Sequence, residues 1–209
     1  MAENALYQYD LSKNIPVVGV DEAGRGPLAG PVVAACALLK NYDESLAGIN
    51  DSKKLGEKKR EALYDVILEH FYTGIGLAAV EEIDRMNILN ATFLAMRRAL
   101  SLLSEKQDLS SCLVLVDGNF PIREYVGPQE ALVKGDGTSL AIAAASILAK
   151  VTRDRIMAQE EKNYPGYGFS KHKGYGTKDH IRAIHALGSC KIHRETFLKG
   201  IIKENLRLF

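Results

Sequence analysis

Residues 16–39 read PVVGVDEAGRGPLAGPVVAACALL. Pro16-Val17-Val18-Gly19-Val20 is an apolar, β-branched run that reads as a buried strand, and it ends on two acids, Asp21 and Glu22. Pro31 to Leu39 reads as a second strand. Between them Gly24, Gly26 and Gly30 form a turn; alone such a turn is more often a tight hairpin, but its glycines also let the backbone approach a ligand closely. The turn carries no Lys-Ser/Thr and opens no helix in the GxGxxG manner, which argues against a nucleoside-triphosphate site. Adjacent residues on a strand face opposite ways, so Asp21 and Glu22 share one site only if the chain bends there, and Gly24 and Gly26 make a bend cheap.

The same pattern recurs downstream. Cys112 to Val116 is the most strand-like run in the chain and ends in Asp117-Gly118-Asn119, while a short strand near Ala131-Leu132-Val133 leads to Gly135-Asp136. Helical spacing over 57–71 precedes a strand from Thr73 to Val80, and 81–104 reads as one long amphipathic helix. An alanine-rich helix from Ser139 to Lys162, a Gly-Tyr-Lys loop over 164–176 and helical stretches at 177–187 and 194–206 complete the chain. Three adjacent strands followed by strand–helix alternation predict an α/β fold: a mixed β-sheet flanked by helices.

In open α/β sheets ligands gather beyond the carboxyl ends of strands. Asp21, Glu22, Asp117 and Asp136 all fall there. A single such acid is more often a turn former or helix cap, and Asp136 before Gly137-Thr138-Ser139 fits that reading too. Acids clustered together repel one another unless protons or cations neutralise them, and an all-oxygen donor set without His or Cys suits Mg²⁺ or Mn²⁺ rather than zinc.

The chain of 209 residues holds 27 Lys/Arg against 26 Asp/Glu, a net of +1 that excludes a strongly basic nucleic-acid binder. The balance is uneven: residues 150–209 carry 13 Lys/Arg against 6 Asp/Glu, so an acidic body precedes a basic last third. The apolar runs are too short to span a membrane, the N-terminus lacks secretory-signal character, and Cys36, Cys112 and Cys190 form no CxxC pair. These features lead to the expectation of a cytoplasmic protein.

Residue by residue, the chain resembles ribonuclease HII, the bacterial type 2 ribonuclease H. The carrying stretches are Val20 to Ala35, Asp51-Ser52-Lys53-Lys54-Leu55, Val116-Asp117-Gly118-Asn119, Lys134-Gly135-Asp136, Ile142 to Asp154, Tyr167-Gly168-Phe169 and His172 to Thr177, in the family's order. The resemblance implies a ribonuclease H-like sheet in a single catalytic domain over 1–209, with 165–209 a small basic, helical C-terminal extension that binds substrate. It implies an endonuclease that cleaves the RNA strand of RNA–DNA hybrids and nicks duplex DNA 5′ to embedded ribonucleotides, leaving 3′-hydroxyl and 5′-phosphate ends. Removal of misincorporated ribonucleotides would be its role.

By the same resemblance Asp21, Glu22, Asp117 and Asp136 are the catalytic metal ligands for two Mg²⁺ or Mn²⁺ ions. Gly24, Arg25 and Gly26 read the ribose 2′-hydroxyl through backbone groups, and Tyr175 stacks on the deoxyribose 3′ of the last ribonucleotide. Lys53 lies in a motif that approaches the nucleic-acid backbone; by itself it is part of a solvated charge run. Lys150 and Arg153, one helical turn apart, reach a phosphate or pair with acids; a salt bridge to Asp154 serves equally well. The histidines carry no catalytic assignment. The expected partners are RNA–DNA hybrid and ribonucleotide-containing DNA, with no membrane and a monomeric state. No sliding-clamp motif stands out beyond Asn205-Leu206-Arg207-Leu208-Phe209. Another nuclease of the same fold and a non-catalytic hybrid-binding module are the competing readings. The Gly-Arg-Gly turn opposes the first and the retained acids oppose the second.

Overall fold

The computed structural model describes residues 4–50, 52 and 55–199. Lys53 and Asn205–Phe209 lie outside the described residues. Helix α1 (Ala5–Leu11) precedes strands β1 (Val17–Ala23) and β2 (Val32–Leu39). Helix α2 (Glu57–His70) runs directly into β3 (Phe71–Ala78), followed by α3 (Val80–Met86) and α4 (Ile88–Ser104). Strands β4 (Leu113–Asp117) and β5 (Gln129–Leu132) come next, then α5 (Leu140–Asn163), the four-residue α6 (Phe169–His172) and α7 (Lys178–Leu187). Residues 195–199 are also helical.

The strands form one mixed sheet in the order β3-β2-β1-β4-β5. The first three pair antiparallel, while β1–β4 and β4–β5 are parallel. This is the helix-flanked α/β architecture that the strand–helix pattern predicts. β1 lies at the centre and is covered on both faces, which explains why its sequence is a continuous apolar run rather than an alternation. Val18, Val20, Val114 and Val116 face the layer containing Phe93, Met96, Ala99 and Leu100 of α4. Val17 and Leu115 face Ala141 and Ile142 of α5. Both helices approach the sheet at contact distance through glycines: a Cβ on Gly19 would lie 2.1 Å from the Ala141 carbonyl carbon, and one on Gly74 2.1 Å from the Ala99 oxygen.

The single helix expected over 81–104 is two helices. Asn87 breaks it at φ 68°, and its side chain accepts from the N–H groups of Leu89 and Asn90 to start α4. Apolar periodicity continues across the break, so spacing alone does not reveal it. Among the described residues no helix is long and apolar enough to cross a membrane.

Helix α5 starts with two caps. Ser139 accepts from the Ile142 N–H, and Asp10 of α1 accepts from the Ala141 N–H at 2.9 Å. The other Asp10 oxygen, Oδ1, is buried without a hydrogen-bond partner. Burial pushes the Asp10 carboxyl up to about 6 against the hydrogen bonds that favour its charge. A raised carboxyl contributes stability that is complete below its unfolded value and lost as pH rises through about 6. Relative to Asp10→Asn, the wild-type chain is therefore expected to lose roughly 1 kcal/mol of stability between pH 5 and pH 7. Urea unfolding of both proteins at the two pH values checks this, and an unchanged difference refutes it.

Candidate active site

The parallel pairing of β1 with β4 ends at Val20 opposite Val116. Asp21 and Asp117 are the next residue on each strand, so they stand side by side where the ladder stops, on the α5 face of the sheet. Asp136 reaches them from a 3₁₀ turn, Gly135–Gly137, entered through Lys134 in the left-handed region. The Gly135 N–H donates to Asp117 Oδ1 at 2.7 Å and ties that turn to the end of β4. Carboxylate oxygens of Asp21, Asp117 and Asp136 lie within 4.8 Å of one another.

Glu22 is placed differently. The bend expected at Asp21-Glu22 does not occur: β1 stays paired with β2 through Glu22 opposite Ala34 and Ala23 opposite Val33. Strand alternation therefore puts Asp21 on the α5 face and Glu22 on the α4 face, beside Leu89, Phe93 and Met96. The positive-φ turn comes only at Gly24, at 98°. Glu22 still lines the same cleft, with its Oε1 3.2 Å from Arg25 Nη1.

The cleft has a volume of about 260 Å³ and gathers Asp21, Glu22, Gly24, Arg25, Gly26, Asp117, Lys150 and Tyr175, with Ser52, Arg60 and Ser146. Asp21 is 4% exposed. Burial holds its carboxyl well above the usual range, the charges of Glu22 and Asp117 push the same way, and the Ser146 hydroxyl opposes them. Ser146 in turn shares a 2.7 Å hydrogen bond with Ser52. A buried acid held next to two further carboxylates is a donor set that a hard divalent cation fits, since the cation removes both the desolvation penalty and the repulsion.

The basic residues divide. Lys150 lines the cleft and pairs with Asp154 at 2.7 Å. Arg153, expected on a phosphate or an acid, lies buried beneath the cleft. Its Nε, Nη1 and Nη2 each donate at 3.0 Å to the carbonyls of Pro31, Lys173 and Ala29, because buried carbonyls need donors and a guanidinium fork supplies three at once. Its guanidinium also sits 6.0 Å from the Tyr175 ring centroid. Tyr175 is 45% exposed and neighbours Gly26, where a Cβ would lie 3.9 Å from its ring.

Arg194 is a site residue that no sequence motif marks. This residue is fully buried and donates to the carbonyls of Gly24, Arg25, Pro27 and Gly30, holding the glycine turn from inside. Its partners lie 164 to 170 residues away, so no local spacing announces it. Ser52 and Ser146 fall within stretches that carry the family resemblance, but nothing in their spacing announces their hydrogen bond.

A strand-end acid cluster on a sheet of this order defines a nuclease of the ribonuclease H-like class, and solved structures share the fold. Ribonuclease H2 of Pyrococcus horikoshii OT3 matches with a TM-score of 0.70 and 28% identity over 92% of this chain and 99% of that one. Bst-RNase HIII in complex with Mn²⁺ matches with a TM-score of 0.71 at 20% identity, covering 93% and 70%, which is a likeness of fold. The family model for Ribonuclease HII matches residues 18–200, and the chain belongs to that family. The ribonuclease HII of Fusobacterium nucleatum subsp. nucleatum is 60% identical over 203 residues, 96% of this chain and 94% of its own length. The chain is accordingly a hydrolase, an endonuclease of the ribonuclease H type that acts on RNA–DNA hybrids.

Proposed function

We propose that the enzyme also nicks duplex DNA on the 5′ side of single embedded ribonucleotides, and that it serves to remove ribonucleotides misincorporated into DNA. The observation that carries this reading is the placement of the Gly24–Gly26 turn and Tyr175 on one cleft with Asp21, Glu22 and Asp117. In this reading Asp21, Glu22, Asp117 and Asp136 hold two Mg²⁺ or Mn²⁺ ions. Bst-RNase HIII, of the same fold, was solved with Mn²⁺. When bound, such ions activate water for in-line attack on phosphorus and stabilise the departing 3′ oxygen. Water adds to phosphorus as the P–O3′ bond breaks, leaving a 3′-hydroxyl and a 5′-phosphate.

The chain's own groups supply selectivity. The glycine turn, locked from within by Arg194, offers backbone groups to the 2′-hydroxyl, which distinguishes RNA from DNA. Tyr175 stacks on the next sugar, where its ring leaves no room for a hydroxyl. Lys150 at the cleft wall meets a phosphate, and residues 165–209 continue that track as a basic substrate-binding extension. The protein acts as a monomer in the cytoplasm, a reducing compartment that suits its free Cys36, Cys112 and Cys190.

Two substrates test the proposal: a duplex with one ribonucleotide and an all-RNA strand paired with DNA. A single nick 5′ to the lone ribonucleotide is expected, and its absence where the hybrid is cut refutes the proposal. Tyr175→Ala is expected to lower the ratio of lone-ribonucleotide to hybrid cleavage roughly tenfold, the size of one aromatic stacking contact. An unchanged ratio removes Tyr175 from substrate reading.

A further inference from the structure

Beneath the Tyr175 loop three histidines gather around Phe169, each hydrogen-bonded at both ring nitrogens. The Cys190 N–H lies 2.9 Å from His193 Nδ1, His193 Nε2 lies 3.0 Å from His180 Nε2, and His180 Nδ1 lies 2.9 Å from the Tyr175 carbonyl oxygen. An amide N–H only donates and a carbonyl only accepts, so the two ends impose one direction on the chain between them. His193 Nδ1 accepts from Cys190, its Nε2–H donates to His180 Nε2, and the His180 Nδ1–H donates to Tyr175. Two adjacent histidines are thereby held in opposite tautomers.

The relay ends next to the ring that faces the cleft. The Tyr175 carbonyl also accepts the Thr177 N–H at 2.8 Å, and the Tyr175 N–H donates to the His172 carbonyl at 2.9 Å. His172 stacks on His180 with ring centroids 4.4 Å apart. Its Nδ1 accepts from the Gly174 N–H at 3.2 Å, and its Nε2–H donates to the Tyr167 carbonyl at 2.8 Å. One imidazole thus holds the Tyr175 carbonyl and another the Gly174 N–H just before it, while the phenol ring lies over Arg153.

We propose that His180, oriented by His193, is a positioning residue for Tyr175: it sets the backbone from which the ring discriminates deoxyribose from ribose. The inference rests on the reading of Tyr175 given above. A proton added to either ring would place N–H against N–H, at Cys190 or between the two histidines, so the relay exists only with both rings neutral. Burial, with His172 and His193 beside it, brings His180 down to about 4, and burial also lowers His193. The other titratable groups facing the pair are Cys190, whose Sγ is 3.1 Å from His193 Nδ1, and the Tyr167 ring.

Nitrogen-15 NMR of the labelled enzyme at neutral pH is expected to show His180 protonated at Nδ1 only and His193 at Nε2 only. Any other pair of tautomers, or an imidazolium in either residue, overturns the relay. The functional arm measures the ratio of kcat/KM on a lone ribonucleotide to that on the hybrid. Tyr175→Ala is measured first, because an unchanged ratio there refutes the reading of Tyr175 rather than the role of His180. With that loss in hand, His180→Phe is expected to lower the ratio about tenfold, since small misplacements of a recognition group cost that much. His180→Asn keeps an N–H at the δ position and is expected to restore the ratio to within about threefold of wild type. A folded His180→Phe with the wild-type ratio, or a His180→Asn no better than Phe, overturns the proposal. Should His180→Phe fail to fold, the tautomers and His180→Asn decide it.

Discussion

Asp117→Asn is expected to reduce hybrid cleavage by about 10³-fold or more while leaving the fold intact. The substitution preserves side-chain size, and the asparagine oxygen still accepts the Gly135 N–H that Asp117 Oδ1 accepts at 2.7 Å. The negative charge between Asp21 and Asp136 is lost, and that charge is what a divalent cation requires. The Asp21 carboxyl, pushed up by burial and by its acidic neighbours, is relieved of one of them, so the melting temperature should stay level or rise. Mn²⁺ should raise the melting temperature of wild type by binding only the folded chain, and should raise that of the variant much less. Initial rates and thermal unfolding with and without Mn²⁺ check the prediction. More than a tenth of wild-type activity in the variant refutes it.

Arg194→Met is the second large effect, and it acts on stability. The guanidinium is fully buried, and its loss leaves the carbonyls of Gly24, Arg25, Pro27 and Gly30 without those donors. Burial, together with the nearby Arg153 charge, brings its pKa down to about 9, so it remains cationic at neutral pH. Leaving several buried acceptors unpaired is worth on the order of 4 kcal/mol, a fall of roughly 10 °C in Tm for a chain of this size. Arg194→Lys should recover little, because an ammonium cannot reproduce a planar fork aimed at four carbonyls. A surviving Arg194→Met protein should also discriminate ribonucleotides poorly, since the turn proposed to meet the sugar is no longer held. Wild-type Tm and selectivity in both variants would sink the prediction.

Asp21, Glu22 and Asp117 were legible because they close apolar strands, and strand ends converge in this kind of sheet; Asp136 stands instead on a 3₁₀ turn four residues beyond β5. The face of the sheet each acid occupies was not. That depends on whether β1 continues through Glu22, and its pairing with β2 up to Ala23 decides it. Arg153 was misleading for a related reason. Its near neighbours Lys150 and Asp154 suggest a charge pair, yet its partners, Pro31, Ala29 and Lys173, lie 20 to 124 residues away. Arg194 likewise serves carbonyls 164 to 170 residues away, whereas His180 and His193 find partners within 13 residues, yet no regular spacing marks a histidine relay as such. Asn87 marks the opposite failure, in which a regular apolar stripe conceals a backbone break.

The end of the β1–β4 ladder at Val20 and Val116 has a consequence for how the enzyme responds to heat. Asp21, Glu22 and Asp117 hang from strands embedded in an apolar layer of twenty buried residues, while the loop bearing Tyr175 rests on a satellite group of six. Local opening follows the smaller unit first. On the proposed role of Tyr175, rising temperature is therefore expected to erode fastidiousness about the sugar before the power to hydrolyse, opening a window in which the enzyme is less selective rather than inactive.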